Sequence, residues 1–251
     1  MCEHCGCTLT GGDAHLPEAG TPGGSRTVEV LEGLLAANDR AAAHNRAHLA
    51  RHGVAAVNLM SAPGSGKTAL LEATIEALAG ELRIAVVEGD LATENDAERI
   101  RARGVPAVQI ATGTACHLDA HLVHRALHEL DLAAVDLLLI ENVGNLVCPA
   151  AFDLGQHRSV ALVSVPEGDD KPAKYPVLFR AADLVLVSKC DLLGVLDGFD
   201  PAAVERHVRA LASAAPVWRV SARTGEGLAR WCGWLRALVA EVRAGAAPAA
   251  R

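Results

Sequence analysis

Residues 60–68 read Met-Ser-Ala-Pro-Gly-Ser-Gly-Lys-Thr, with the apolar run 54–59 before them and the helix-forming stretch 69–79 after. Strand, glycine loop and helix in that order commit the chain to an α/β fold whose first loop closes around an anion. Gly64 and Gly66, with Ser65 between them, let backbone N–H groups turn inward, and the first turn of the helix adds the positive end of its dipole. Lys67 is placed to reach the β- and γ-phosphates of a nucleotide, and Thr68 to ligate Mg²⁺. Ser61 stands where the GxxxxGK(S/T) pattern has its first glycine, so one position of the pattern is missing.

Further apolar runs at 82–87, 105–110, 135–140, 160–165, 184–187 and 217–220 alternate with helical stretches. Together with the first run they predict a mostly parallel sheet of about seven strands with helices on both faces, a P-loop NTPase. With 251 residues, 51% of them hydrophobic, the chain is long enough for one such domain and its appendages. A formal net charge of -7 opposes a general role on nucleic acid or anionic membrane, since either wants a basic surface. Neither a membrane-spanning run nor a secretory signal is legible, so a cytoplasmic location is expected. Seven cysteines in a reducing compartment point to metal binding or free thiols before disulfides.

The domain reading is a flexible metal-binding tail over 1–27, a packed helix over 28–52, the nucleotide domain over 53–242 and a disordered tail over 243–251. Cys2, Cys5 and Cys7 bring three soft thiolates together in the first of these. His4, Glu3, a backbone amide or a terminal amine could add a fourth donor. Nitrogen and thiolate donors in a plane favour Ni(II), and four thiolate or imidazole ligands favour Zn(II). His44, His48 and His52 recur every fourth residue on the helix and read as a solvated polar face rather than a metal stripe.

Asp90 ends the second apolar run, a strand expected beside the first. Its carboxylate is a candidate for holding Mg²⁺ through water or orienting the attacking water. Thr93 and Asp96 follow in the expected switch segment, where Asp96 reads equally well as a helix N-terminal carboxylate. Cys116 and His117 fall where a helix is expected to begin, which would stabilise a thiolate as a metal ligand or a nucleophile, and His117 reads as a ligand. His121, His124 and His128 continue at helical spacing and read as surface residues, with His121, one turn from His117, able to join a site there. Glu141-Asn142-Val143-Gly144 has the DxxG shape with Glu for Asp, so that Glu141 meets the Mg²⁺ shell and the Gly144 N–H meets the γ-phosphate. Cys148 lies a few residues on, and joined to Cys116 and His117 it would couple a metal site to the γ-phosphate sensor. Residues 167–176 read as a charged loop. Ser188-Lys189-Cys190-Asp191 is similar to the guanine-reading NKxD loop, with Asp191 accepting from the base, Lys189 covering it, and Ser188 in place of the bracing Asn. Ser221 and Ala222 occupy the second base-contacting position. Trp231, Trp234, Leu235 and Leu238 read as core.

Taken together, the N-terminal CxxCGC and the stretches SAPGSGKT, EGDLATENDAER, TGTACHLDA, ENVGNLVCP, EGDDKPAKYP, SKCD and SARTGEG resemble HypB, the nickel-insertion GTPases of NiFe-hydrogenase maturation. The resemblance implies slow, Mg²⁺-dependent hydrolysis of GTP to GDP and a nickel site on Cys2, Cys5 and Cys7. It further implies a second Ni²⁺ or Zn²⁺ site on Cys116, His117 and Cys148. It also implies a homodimer favoured by GTP, with Lys171 or Lys174 near the partner's nucleotide. Its partners would be a nickel-delivery chaperone and the hydrogenase large-subunit precursor. Two other readings are a urease-type nickel GTPase and a non-enzymatic zinc- or nickel-binding scaffold with a vestigial nucleotide site.

Overall fold

The structure is a computed structural model that describes residues 24–90, 95–113 and 116–246, with the side chains of residues 24–32, Asp90, Asn95 and Ala246 left out. Cys2, Cys5, Cys7 and Thr93 lie outside the described residues. The chain divides into two units, Met1–Leu34 and Leu35–Arg251, and the second carries the features below. No helix among the described residues is long and apolar enough to cross a membrane.

Seven parallel strands form one sheet: β1 (Ala55–Met60), β2 (Ile84–Asp90), β3 (Ala107–Ala111), β4 (Leu137–Glu141), β5 (Arg158–Ser164), β6 (Leu184–Ser188) and β7 (Val217–Arg219). Their order is β3-β2-β4-β1-β5-β6-β7. The expected pairing of β2 with β1 is therefore wrong, because β4 lies between them. Every residue of β4 is buried, so this strand needs neighbours on both sides, whereas half-buried β3 suits an edge. The exchange puts the end of β4 beside the glycine loop, with Glu141 paired to Leu59 and the Asn142 N–H donating to the Leu59 carbonyl at 3.0 Å.

Alternate residues of β1 face opposite layers. Ala55, Val57 and Leu59 pack under helices α2 (Lys67–Ala77) and α8 (Leu228–Ala246), with Leu70, Ile75, Trp231 and Leu235. Trp231 is fully buried, and its indole N–H donates to Thr74 Oγ1 at 2.8 Å, so the aromatic bulk is gained without an orphaned donor. Ala56 faces the other side, under α1 (Gly24–His52) and α4 (Ala120–Leu127), with Leu49, Val123 and Leu127. The short α3 (Asn95–Arg101) carries the chain from β2 towards the β3 edge, and α5 (Lys171–Lys174), α6 (Pro176–Ala181) and α7 (Pro201–Ala210) cover the β5–β6 end. Residues 167–176, expected as loop, thus contain a helical turn, with Lys174 paired to Asp170 at 2.5 Å. Helix α8 also outruns its expected end, because Arg243 pairs with buried Asp136, which Arg83 holds from the other side.

Two asparagines fasten α1 to the sheet's crossovers. Asn38 accepts from the Ala120 N–H and donates to the Asp153 carbonyl, both at 2.8 Å. Asn45 is fully buried and donates to the Ala120 carbonyl at 2.8 Å and the Leu154 carbonyl at 3.0 Å. Gly155 has φ 89°, and a Cβ there would come within 2.6 Å of the Ala42 carbonyl, so glycine is required at this close approach. Replacement of Asn45 by Ala strands two buried carbonyls and is expected to lower unfolding free energy by about 2–3 kcal/mol in urea denaturation. A change under about 0.5 kcal/mol would show that α1 is held by apolar packing alone.

Candidate functional site

The loop between β1 and α2 is set by two glycines with positive φ, Gly64 at 72° and Gly66 at 94°, the latter at the N-cap of α2. Ser61 has no such requirement, which is why serine can stand at the pattern's first glycine. It is fully buried, takes a hydrogen bond from Lys67 Nζ at 2.9 Å, meets Ser65 Oγ, and donates to the Ala62 carbonyl at 2.8 Å. Burial pulls the Lys67 ammonium below its ordinary pKa, while the Glu141 charge opposes that shift.

A crevice of about 440 Å³ opens above this loop, lined by Gly64, Gly66, Lys67, Thr68, Glu141 and Gly144 among others. Thr68 Oγ1 donates to Glu141 Oε1 at 2.9 Å, and Glu141 Oε2 is buried with no hydrogen-bond partner. Burial pushes the Glu141 carboxyl up to about 7 against the pull of Lys67 and Thr68. A hydroxyl beside a carboxylate whose second oxygen is unsatisfied is a donor set that fits Mg²⁺. Glu88 also lines the crevice, from the end of β2, and sequence reasoning passed over it. Asp96 sits in the first turn of α3, as a helix N-terminal carboxylate, and lines the crevice as well. Arg99 lines it too, paired with Glu72 and Asp96 at 2.7 and 2.8 Å.

A second cavity of about 310 Å³ adjoins the first through Gly66, Ala69 and Lys189, and is lined by Ser65, Asp191, Ser221 and Ala222. Lys189 adopts a left-handed backbone (φ 55°) and donates through Nζ to the Gly64 carbonyl at 2.7 Å. Ser188 donates to the Ser65 carbonyl at 2.7 Å and so braces the glycine loop despite lacking the amide of Asn. Asp191 accepts from Ser221 Oγ at 2.6 Å and Arg223 Nε at 2.8 Å, which hold its carboxyl below the ordinary range. Cys190 is buried away from the cavity, and burial pushes its thiol up to about 11.

On the other side of β4, Cys116, His117 and Cys148 bring one donor atom each to within 4.8 Å of one another. The two sulfurs are 2.9 Å apart, and His117 Nδ1 is 3.7 Å from Cys116 Sγ. The bond from Cys116 and partial burial raise the Cys148 pKa. Burial keeps His117 neutral by lowering its pKa, with its ring stacked 4.0 Å from Phe152. Two thiols and a neutral imidazole are a donor set for Ni²⁺ or Zn²⁺. The helix does not begin at Cys116 as expected. Asp119 caps α4 by accepting from the Leu122 N–H at 2.8 Å, so Cys116 and His117 precede the helix and gain nothing from its dipole.

One segment joins the two centres. Gly144 packs on Pro63, where a Cβ would come within 2.8 Å of Pro63 Cα, and Asn145 Oδ1 accepts from the Val147 N–H at 2.7 Å just before Cys148. Asn142, fully buried, accepts from the Leu118 N–H at 3.1 Å and the Val143 N–H at 3.0 Å. Sequence reasoning did not single out Asn142. Its role needs the crossover of β4, which no local pattern shows.

A family profile described as "CobW/HypB/UreG, nucleotide-binding domain" matches residues 55–219. A hydrogenase maturation factor HypB from Azotobacter chroococcum mcd 1 is 54% identical over 211 residues, 84% of this chain and 69% of that protein. The HypB of Escherichia coli (strain K12) is 48% identical over 230 residues, 89% of this chain and 79% of that protein. A crystal structure of HypB from Helicobacter pylori in complex with nickel superposes with TM-score 0.77 at 39% identity, covering 85% of this chain and 99% of that one.

The raised pKa of Glu141 fixes the sign of one pH effect. Its neutral form is favoured by folding, so its contribution to stability is full below the ordinary 4.5 and is lost as pH rises through about 7. In protein free of nucleotide and Mg²⁺, the difference in unfolding free energy between wild type and Glu141→Gln is expected to shift in favour of Gln across that window. A pH-independent difference would show that Glu141 stays charged when folded.

Proposed function

The chain belongs to the CobW/HypB/UreG family of nucleotide-binding domains, among the hydrogenase maturation factors HypB, and on that premise we propose that it is a GTP-hydrolysing nickel metallochaperone. One observation carries the proposal: Glu141, bonded to Thr68 of the phosphate loop, and Cys148, bonded to Cys116, stand in one segment that touches Pro63 at Gly144. Nickel is the cargo, in keeping with the nickel complex of the Helicobacter pylori relative.

In this reading the backbone N–H groups around Gly64, Ser65 and Gly66 hold the phosphates, and Lys67 turns from Ser61 to the β- and γ-oxygens. Mg²⁺, when bound beside Thr68 and Glu141, supplies positive charge that offsets the phosphate oxygens. Asp90 orders the attacking water, and Asp191, Lys189, Ser221 and Ala222 read guanine. The Gly144 N–H senses the γ-phosphate, and any shift of its segment is passed to Cys148 directly and to His117 through Asn142 and Leu118. Positioning and charge neutralisation do the chemistry, so turnover by the chain alone is slow. Cys2, Cys5 and Cys7 form a separate nickel site, and Zn²⁺ competes at the Cys116, His117, Cys148 centre. Lys171 or Lys174 approaches the nucleotide of a second copy in a GTP-favoured homodimer. The partners are a nickel-delivery chaperone and the hydrogenase large-subunit precursor.

The test is a titration of Ni²⁺ and Zn²⁺ into reduced protein carrying Cys-to-Ala changes at Cys2, Cys5 and Cys7, with GDP and then a non-hydrolysable GTP analogue. Affinity at the remaining site is expected to differ between nucleotides by about 5–150-fold, the usual range of coupling between two sites. Equal affinities would overturn nucleotide gating. Separately, Lys67→Ala is expected to abolish phosphate release while leaving tail metal affinity within about twofold, and joint loss of both would refute two independent modules.

A further inference from the structure

Three acids, Glu88, Asp96 and Glu141, line the phosphate crevice among the described residues, and a nucleoside triphosphate brings further negative charge that its walls must offset. Of the cations on those walls, Lys67 follows the glycine loop, and Lys189 is engaged by the Gly64 carbonyl on the side of the second cavity. Arg99 of α3 is the remaining one among the described residues, and no step of the proposed hydrolysis uses it. It enters from the β2 side, where Glu88 is paired with Glu141 across β2 and β4. Glu141 and Gly144 stand on that side, and the third phosphate of a nucleotide is expected there.

The guanidinium is held in a defined attitude. Nε and Nη2 donate to the two oxygens of Glu72 at 3.2 and 2.7 Å, and Nη1 donates to Asp96 Oδ1 at 2.8 Å. Glu72 is a firm anchor, because its side chain is largely buried and Arg103 meets its Oε1 at 3.4 Å. It lies four residues after Thr68 on α2, so the anchor is one helical turn, about 5.4 Å, from the hydroxyl of the Mg²⁺ donor set. A guanidinium carries five N–H donors in a rigid fork, and these bonds leave a second hydrogen on each terminal nitrogen. About half of the Arg99 side chain is accessible, so an anion can reach those hydrogens without breaking the fork on Glu72. Tying α3 to α2 does not by itself require a guanidinium in the crevice, since Arg103, just past α3, already pairs with Glu72 and Glu76.

Resting on the reading that the crevice takes GTP and GDP, we infer that Arg99 is a specificity-determining residue that recognises the γ-phosphate. Its guanidinium, oriented by Glu72, donates to the terminal phosphoryl oxygens of GTP, which GDP lacks. Arginine suits the task because its charge persists at every physiological pH and its planar fork matches phosphate oxygens. Asp96 shares Nη1 with the phosphate, and Glu72 acts only through Arg99, as a positioning residue. The bond also gives α3 a tie to nucleotide that exists with GTP alone, on the helix that directly follows the expected switch segment. Gly144 and Arg99 then read the same phosphate from β4 and from α3.

The test is calorimetric titration of the full chain, with Mg²⁺ present, by GDP and by a non-hydrolysable GTP analogue. Arg99→Gln is expected to weaken the analogue at least about tenfold and to change GDP by less than about twofold, as loss of a hydrogen bond between two charged groups predicts. Arg103→Gln breaks the neighbouring tie to Glu72 and should lower the melting temperature while leaving the ratio of the two affinities unchanged. Folding is checked by circular dichroism. If Arg99→Gln unfolds, Arg99→Lys, which keeps the charge and loses the fork, should still cost the analogue at least about threefold with GDP unmoved. The proposal fails if the Arg99 variant binds both nucleotides as the wild type does, or weakens both equally, since Arg99 would then be a helix tie and nothing more. It fails also if Arg103→Gln moves the ratio as far as Arg99→Gln. A wild-type chain that binds neither nucleotide would instead refute the functional reading itself, so the two failures are told apart by the wild-type titration.

Discussion

A carboxylate and an ammonium are buried together at the end of the central strands, and the rest of the site follows from keeping them there. Glu141 and Lys67 lie where water cannot solvate them fully, so each needs partners of defined geometry. Thr68 supplies one for Glu141 and Ser61 one for Lys67. Ser61 in turn touches Ser65, whose carbonyl takes the Ser188 hydroxyl, while Lys189 reaches the Gly64 carbonyl. The phosphate loop, the β4 end and the base loop are thereby one hydrogen-bonded unit, and phosphates with their cation are the natural completion of its charge.

The cluster of Cys116, His117 and Cys148 is attached to that unit by amides instead of charges. Asn142 holds the residue after His117, Asn145 holds the backbone leading into Cys148, and Asn38 and Asn45 hold the start of α4 against α1. Amide side chains donate and accept at fixed angles without titrating near neutrality, so these connections keep their geometry over the range in which thiols, imidazoles and Glu141 exchange protons. That division suits a protein whose ligand groups must change state while their spacing does not.

Much of this was legible in the residues. The phosphate loop, the acid at the end of β4 and the Cys-His pair stand in contiguous patterns whose spacing carries the chemistry. Ser188 was legible as a departure but not as a brace, because its partner is a carbonyl 123 positions away. Strand order was misread for β2, since parallel strands joined by crossovers need not neighbour in space as they do in sequence. The start of α4 was placed too early because Cys116 and His117 look helical in composition, whereas the cap is made by Asp119. The histidines were read helix by helix, and nothing local to either helix tells that Asn38 and Asn45 bring the two together, so that the rings of His44 and His124 meet with centres 4.8 Å apart.

The short span from Glu141 to Cys148 has a thermodynamic corollary. Coupling between two binding sites is reciprocal, so if a triphosphate alters metal affinity through this span, bound metal must alter nucleotide affinity by the same factor. Cargo then acts as a clock-setter: a loaded chain and an unloaded one hold their nucleotide with different strengths, and the supply of nickel in the cell would be written into the ratio of GTP- to GDP-bound protein before any delivery takes place.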